Sequence, residues 1–182
     1  MKKNGPWTIV DSKQVYKNPW IEVQEDKVIR PDGKPGIYGV ITTTPGTSIL
    51  PLDDEGYVYL AEEFRYATRK PSIETPGGGS DIKEDILEAA KRELREEMGI
   101  VAKKWTPLGF VDPNTSILDS QTHLFLAQDL TFGKPEQEGT EVIKMIKVKF
   151  EEAVKMALEN KITLAESVVC ILKAKEHLRK KE

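Results

Sequence analysis

Two glutamates on the apolar face of one helix constrain this chain more than any other feature. Pro76-Gly77-Gly78-Gly79 breaks the backbone sharply, and the spacing after it predicts a helix over 82–98. Asp81, with Glu84 three residues on, forms a capping-box pattern, and Gly99 suits the left-handed position past the helix end. At ~100° per residue, Ile86, Leu87, Ala89, Ala90, Leu94 and Met98 share one arc. Glu84, Glu88, Lys91 and Arg95 lie opposite, as a solvated, ion-paired face should. Glu93 and Glu97 fall inside the apolar arc, one turn apart, and Glu96 sits at its edge. Carboxylates beside a buried face are costly unless cations compensate them. The acids of such a helix end can pair with Lys91, Arg92 or Arg95, or a hard divalent cation with oxygen ligands can hold them.

The elements around this helix read as a mixed sheet with helices on it, an α+β arrangement and not an alternating parallel one. Strands are expected at Trp7–Val10, Trp20–Arg30, Ile37–Thr43, Ser48–Leu52 and Tyr57–Ala61, with Asp53-Asp54-Glu55-Gly56 as a hairpin turn. After the helix, strands are expected near Leu108–Val111, His123–Ala127 and Val142–Val148, with Asp112–Gln121 a polar loop. A short helix over Phe150–Glu159 follows. A last helix starts at Thr163, where Thr163 and Glu166 form a second capping box. The domain reading is a β-rich extension over 1–44 and a main domain over 45–182.

Composition narrows the function. A net charge of −3, from 27 basic and 30 acidic residues, gives no push toward nucleic acid or anionic membrane. The single cysteine, Cys170, excludes an intrachain disulfide and reads as core. The first residues lack a signal-peptide apolar run, and no stretch suits a membrane span, so a cytoplasmic protein is expected. The glycine-rich turn has neither the lysine of a P-loop nor a dinucleotide fingerprint.

Gly78 to Ile100 reads GGSDIKEDILEAAKRELREEMGI. This resembles the Nudix box, G-x5-E-x7-R-E-U-x-E-E-x-G-U, with U a bulky apolar residue. Gly78, Glu84, Arg92, Glu93, Leu94, Glu96, Glu97, Gly99 and Ile100 meet every defined position. The resemblance implies an α/β/α sandwich and hydrolysis of a nucleoside diphosphate linked to another group, with Mg²⁺ or Mn²⁺ as cofactor. It makes Glu93 and Glu97 the central metal ligands and Glu96 a further ligand or base. Gly77 offers its backbone carbonyl to the metal, Arg92 orients the glutamates, and Glu84 is structural.

The flanks resemble the branch that includes ADP-ribose pyrophosphatases and nucleoside-diphosphate-sugar hydrolases. Tyr59 to Tyr66 is similar to that branch's strand ending in an arginine, and Glu74-Thr75-Pro76-Gly77-Gly78 to its lead into the box. The resemblance implies a homodimer exchanging N-terminal strands. It gives Arg65 to a phosphate or to an ion pair with Glu62 or Glu63. Glu74 goes to substrate or a neighbouring loop, and Trp20 to the base or to core or interface packing. Glu141 and Glu138, before the strand at Val142, with Glu136 behind them, are candidates for a catalytic base or third metal ligand, or belong to a solvated acidic loop. His123 is read as packing in its strand, and His177 carries no signal. Pro113 does not sit where relatives tuned to ADP-ribose carry a proline. The expected substrates are therefore nucleoside diphosphate sugars as a class, ADP-ribose included. The rival readings are a dinucleoside polyphosphate or capped-RNA hydrolase, and a sensor that binds a sugar nucleotide without cutting it.

Overall fold

A computed structural model describes residues 1–81, 83–137, 139 and 142–180. Contacts divide the chain into two units, Met1–Thr44 with Asp112–Gln121, and Pro45–Val111 with Thr122–Glu182.

The first unit is one sheet. β1 (Lys2–Asn4), β2 (Trp7–Lys17), β3 (Ile21–Ile29) and β4 (Pro35–Thr43) pair antiparallel in chain order. The expected strand at Trp7 runs on to Lys17, with register shifts between Ile9 and Asp11 and between Gln14 and Tyr16. Asp112–Gln121 is more than a loop. It carries β9 (Leu118–Asp119), which pairs parallel with β4, and Ser116 there accepts the Tyr38 hydroxyl at 2.6 Å.

The second unit is a sandwich. β5 (Gly46–Pro51) pairs parallel with β10 (Thr122–Phe132), which pairs antiparallel with β8 (Ile100–Val111). β6 (Tyr57–Arg65) lies between β7 (Lys70–Glu74) and β11 (Lys144–Lys149), antiparallel to both. The turn Asp53–Gly56 joins β5 to β6, with Gly56 at φ 78, but the expected hairpin is reduced to a single Leu52–Val58 bridge, because the two strands belong to different sheets. Because strand side chains alternate, each strand feeds two cores. Ile49, Tyr59, Ala61, Phe125 and Ala127 pack on α1 (Ile86–Met98) through Ala90, Leu94 and Met98. Leu50, Leu60, Leu124 and Leu126 pack instead on α2 (Phe150–Leu158) and α3 (Ala165–Arg179) through Ala153, Val154, Cys170 and Ile171.

Three expectations need correction. The helix α1 starts at Ile86, capped by Asp85, whose carboxylate accepts the N–H groups of Leu87 at 3.0 Å and Glu88 at 3.2 Å. Asp81 and Glu84 instead close a separate turn, where Lys83 takes φ 71 and ends any helical run; Ile82 lies outside the described residues. The Thr163 capping box does not form, because Leu164 occupies the cap position and no side chain caps it. The strand β7 was missed, since Lys70-Pro71-Ser72-Ile73-Glu74 has little apolar pattern. It is the edge of its sheet, where a proline costs no ladder bond.

Candidate active site

The last two turns of α1 carry the acids where the sequence pattern places them. Glu97 is 7 % exposed, and Glu93 has 12 % of its side chain exposed. Glu96 is more open, at 24 %. The Gly77 N–H donates to Glu97 Oε2 at 2.9 Å, which ties the glycine turn to the helix. Close approach dictates the glycine at 77, and a side chain at 78 would press on the carboxylate of Glu93. A Cβ on Gly77, at φ 148, would come 2.2 Å from the Thr47 carbonyl oxygen, and one on Gly78 would come 2.6 Å from Glu93 Oε2.

Arg92 is the hub of the acids. Its Nη1 donates to Glu93 Oε1 at 2.7 Å and to Glu96 Oε2 at 3.1 Å. Its Nε and Nη2 donate to Glu84, each at 3.1 Å, and Nη2 also to the Gly79 carbonyl at 3.0 Å. Glu84, then Glu93 and Glu96, raise the guanidinium's pKa, and Arg92 holds the Glu84 carboxyl below its ordinary value. Arg95 adds a bond to Glu96 at 3.0 Å. Carboxylates outnumber guanidiniums here: Glu84, Glu93 and Glu96 share Arg92 and Arg95, and Glu97 shares the field of Arg65 with Glu63 and Glu74.

That excess suits a divalent cation. Among the described residues no three acidic, imidazole or thiol groups are gathered to hold an ion alone.

A cleft of ≈ 530 Å³ opens beside this acidic edge. Gly77, Gly78, Arg65, Glu74, Lys70 and Thr163 are among the residues that line it. Arg65, at the end of β6, pairs with Glu74 rather than with Glu62. Its Nε lies 3.1 Å from Glu74 Oε2, and its Nη1 lies 2.9 Å from Glu63. Glu74 is 4 % exposed, and its bonds raise the Arg65 pKa. Arg65→Ala would strand that buried carboxylate. We expect a loss of about 1–3 kcal/mol by thermal denaturation, and a KM about tenfold higher in steady-state kinetics.

Sequence reasoning missed a buried hydroxyl chain under the turn. The Thr75 N–H donates to Ser167 Oγ at 3.0 Å, Thr75 Oγ1 donates to the same oxygen at 3.0 Å, and the Ser48 and Thr75 hydroxyls bond at 2.7 Å. Ser48, Thr75 and Ser167 are all buried.

The remaining candidates are scattered. Trp20 is 75 % exposed, so it is not core packing within this chain. His123 packs its ring on Phe110, centroids 5.9 Å apart. Cys170 is fully buried, and burial pushes its thiol up to about 12, as an unreactive core cysteine requires. Glu138 and Glu141 lie outside the described residues.

Residues 7–41 match the nucleoside diphosphate sugar hydrolase N-terminal domain, and residues 42–167 match the NUDIX domain. The chain belongs to the Nudix family. It is a Nudix hydrolase, and hydrolases of this family generally use divalent metal ions. The ADP-ribose pyrophosphatase of Bacillus subtilis (strain 168) is 26 % identical over 174 residues, covering 93 % of this chain and 94 % of that one. The ADP-ribose pyrophosphatase of Mycobacterium tuberculosis (strain ATCC 25618 / H37Rv) is 27 % identical, covering 72 % of this chain and 65 % of its own. The ADP compounds hydrolase NudE of Escherichia coli (strain K12) is 32 % identical, covering 49 % and 47 %. A solved structure of an ADP compounds hydrolase superposes with a TM-score of 0.84 at 21 % identity, over 100 % of this chain and 98 % of that one, which establishes the shared fold. No helix among the described residues is long and apolar enough to cross a membrane.

Proposed function

We propose that this Nudix hydrolase cleaves the diphosphate bond of nucleoside diphosphate sugars, ADP-ribose included, using Mg²⁺ and releasing a nucleoside monophosphate and a sugar phosphate. One observation carries the reading. Glu97 is buried on the Gly77 N–H, and Gly77 also lines the cleft that holds Arg65. The ADP-ribose pyrophosphatase relatives support the substrate class.

In this reading Glu93 and Glu97 hold the ion, with Glu96 and the Gly77 carbonyl as further oxygens. When bound, Mg²⁺ neutralises diphosphate charge and acidifies a water. The chain's own groups do the positioning. Arg92 fixes Glu93 and Glu96 through charge-assisted bonds. Arg65, whose fork is anchored on Glu74, offers positive charge to a phosphate in the cleft. Glu96, Glu138 and Glu141 are the candidates to accept the water's proton. Trp20 is the candidate platform for the base, where stacking tolerates several bases. Exposed Val15, Tyr16 and Ile37 on strands of the first unit suit a homodimer formed through residues 1–44.

The test is a phosphate-release screen, coupled to a phosphatase, over ADP-ribose, GDP- and UDP-sugars and dinucleoside polyphosphates. Turnover of the first two groups is expected with Mg²⁺ and is abolished by EDTA. Turnover of dinucleoside polyphosphates alone overturns the substrate assignment. Binding of a sugar nucleotide without cleavage makes the protein a sensor.

A further inference from the structure

An α-helix leaves its last four carbonyls without a partner inside the helix. In α1 these belong to the turn that carries Glu96 and Glu97, and the chain after β10 supplies donors to it. The Glu136 N–H donates to the Glu96 carbonyl at 2.8 Å, and the Gly133 N–H to the Gly99 carbonyl at 2.7 Å. The approach is close. A Cβ on Gly99 would come 2.6 Å from the Gly133 carbonyl oxygen and 2.8 Å from the Pro135 nitrogen. Gly99 is thus required twice, by its φ of 64 and by the segment Gly133–Pro135 passing over it.

Gln137 completes the arrangement with its side chain. Its Nε2 donates to the Glu97 carbonyl at 3.0 Å and to the Ile143 carbonyl at 3.0 Å. Its Oε1 accepts the Ile143 N–H at 3.4 Å. One primary amide therefore joins three backbone groups: the end of the acidic helix and both polar groups of a residue six positions further along. The planar amide has two donors and an acceptor, which this task needs. A glutamate would bring no donor and would set a charge against two carbonyls. An asparagine is shorter by a methylene.

We propose that Gln137 is a positioning residue for hydrolysis: it locks the backbone at 137 and 143 to the Glu97 carbonyl and so fixes the Glu96–Glu97 turn. The inference rests on the reading of Glu93, Glu96 and Glu97 as the acids that hold the cation. Gln137 touches neither substrate nor cation, and acts through the backbone of Glu97.

The variants are Gln137→Ala and the volume-matched Gln137→Met, compared with wild type. The measurements are kcat, KM, Mn²⁺ affinity by electron paramagnetic resonance, thermal midpoint, and hydrogen exchange at the Glu136 and Ile143 amides. We expect kcat to fall about 10- to 100-fold in both variants, with KM within about threefold, because misplaced groups cost turnover more than binding. Exchange at the two amides should rise at least about tenfold, with exchange in the body of α1 unchanged. A kcat within about twofold of wild type overturns the proposal. So does a loss that follows the unfolded fraction and disappears on cooling, since that marks a purely structural role. A wild type inactive on every diphosphate would refute the functional reading instead. Gln137 would then be judged on exchange and Mn²⁺ affinity, and no change in either overturns it.

Discussion

Glu97→Gln should abolish most turnover while leaving the protein folded. The substitution keeps the shape of the side chain and one oxygen that can still accept the Gly77 N–H. What it removes is a negative charge from a group 7 % exposed, beside Glu93 and Glu96. Stability should change little, since the site already carries an excess of negative charge, and we expect a shift within about 1 kcal/mol. The loss should fall on the chemistry. A ligand charge that helps hold a divalent cation against developing phosphate charge contributes several kcal/mol, so kcat should drop by on the order of 10³-fold. The check is kcat across a Mg²⁺ titration together with a thermal melt. A folded variant with near-wild-type kcat at saturating Mg²⁺ would remove Glu97 from the metal site. Glu84→Gln is the matched comparison. Glu84 bonds Arg92 from the outer side of the cluster, so its loss should be much smaller.

The second large effect is expected from one methyl group. Gly77→Ala places a Cβ 2.2 Å from a backbone oxygen of β5, at a φ of 148 that L side chains rarely adopt. Neither partner is a flexible side-chain end, so the turn must move. We expect a loss of about 1–3 kcal/mol in a denaturant melt and a fall in kcat of roughly 100-fold, because the displaced turn carries the N–H on Glu97. Gly39→Ala is the control. Its Cβ would meet nothing within 4 Å, and its change should stay within about 0.5 kcal/mol. Wild-type kcat in Gly77→Ala would show that the turn does not set the acid geometry.

The parts of this site that the sequence made legible are local ones. Glu93 and Glu97 could be placed on the inner face of α1 because helical periodicity needs only neighbouring residues. Gly99 could be placed at the helix end for the same reason. The start of α1 was misplaced by four residues, since Asp81 and Asp85 are equally good caps in sequence and only the φ of Lys83 separates them. The hydroxyl chain was not legible. Thr75 and Ser167 are 92 positions apart and Ser48 and Thr75 are 27, and no local pattern marks such partners. Arg65 was legible as a charged strand end. Its partner Glu74 was not, because the pairing depends on β7, which the proline concealed.

The first unit borrows residues 112–121 from the middle of the chain, and this has a practical consequence. The polypeptide crosses between the units three times, at 44–45, 111–112 and 121–122. A protease cutting only after Thr44 would therefore leave the fragments held together by β9 on β4, and the nicked protein should co-purify until denaturant is added. Deleting the first 44 residues is a different operation. It would leave Leu118 and Asp119 without their strand partners, so a shortened chain is a poor test of what the N-terminal sheet does. Substitutions on that sheet, in the whole chain, are the sound instrument.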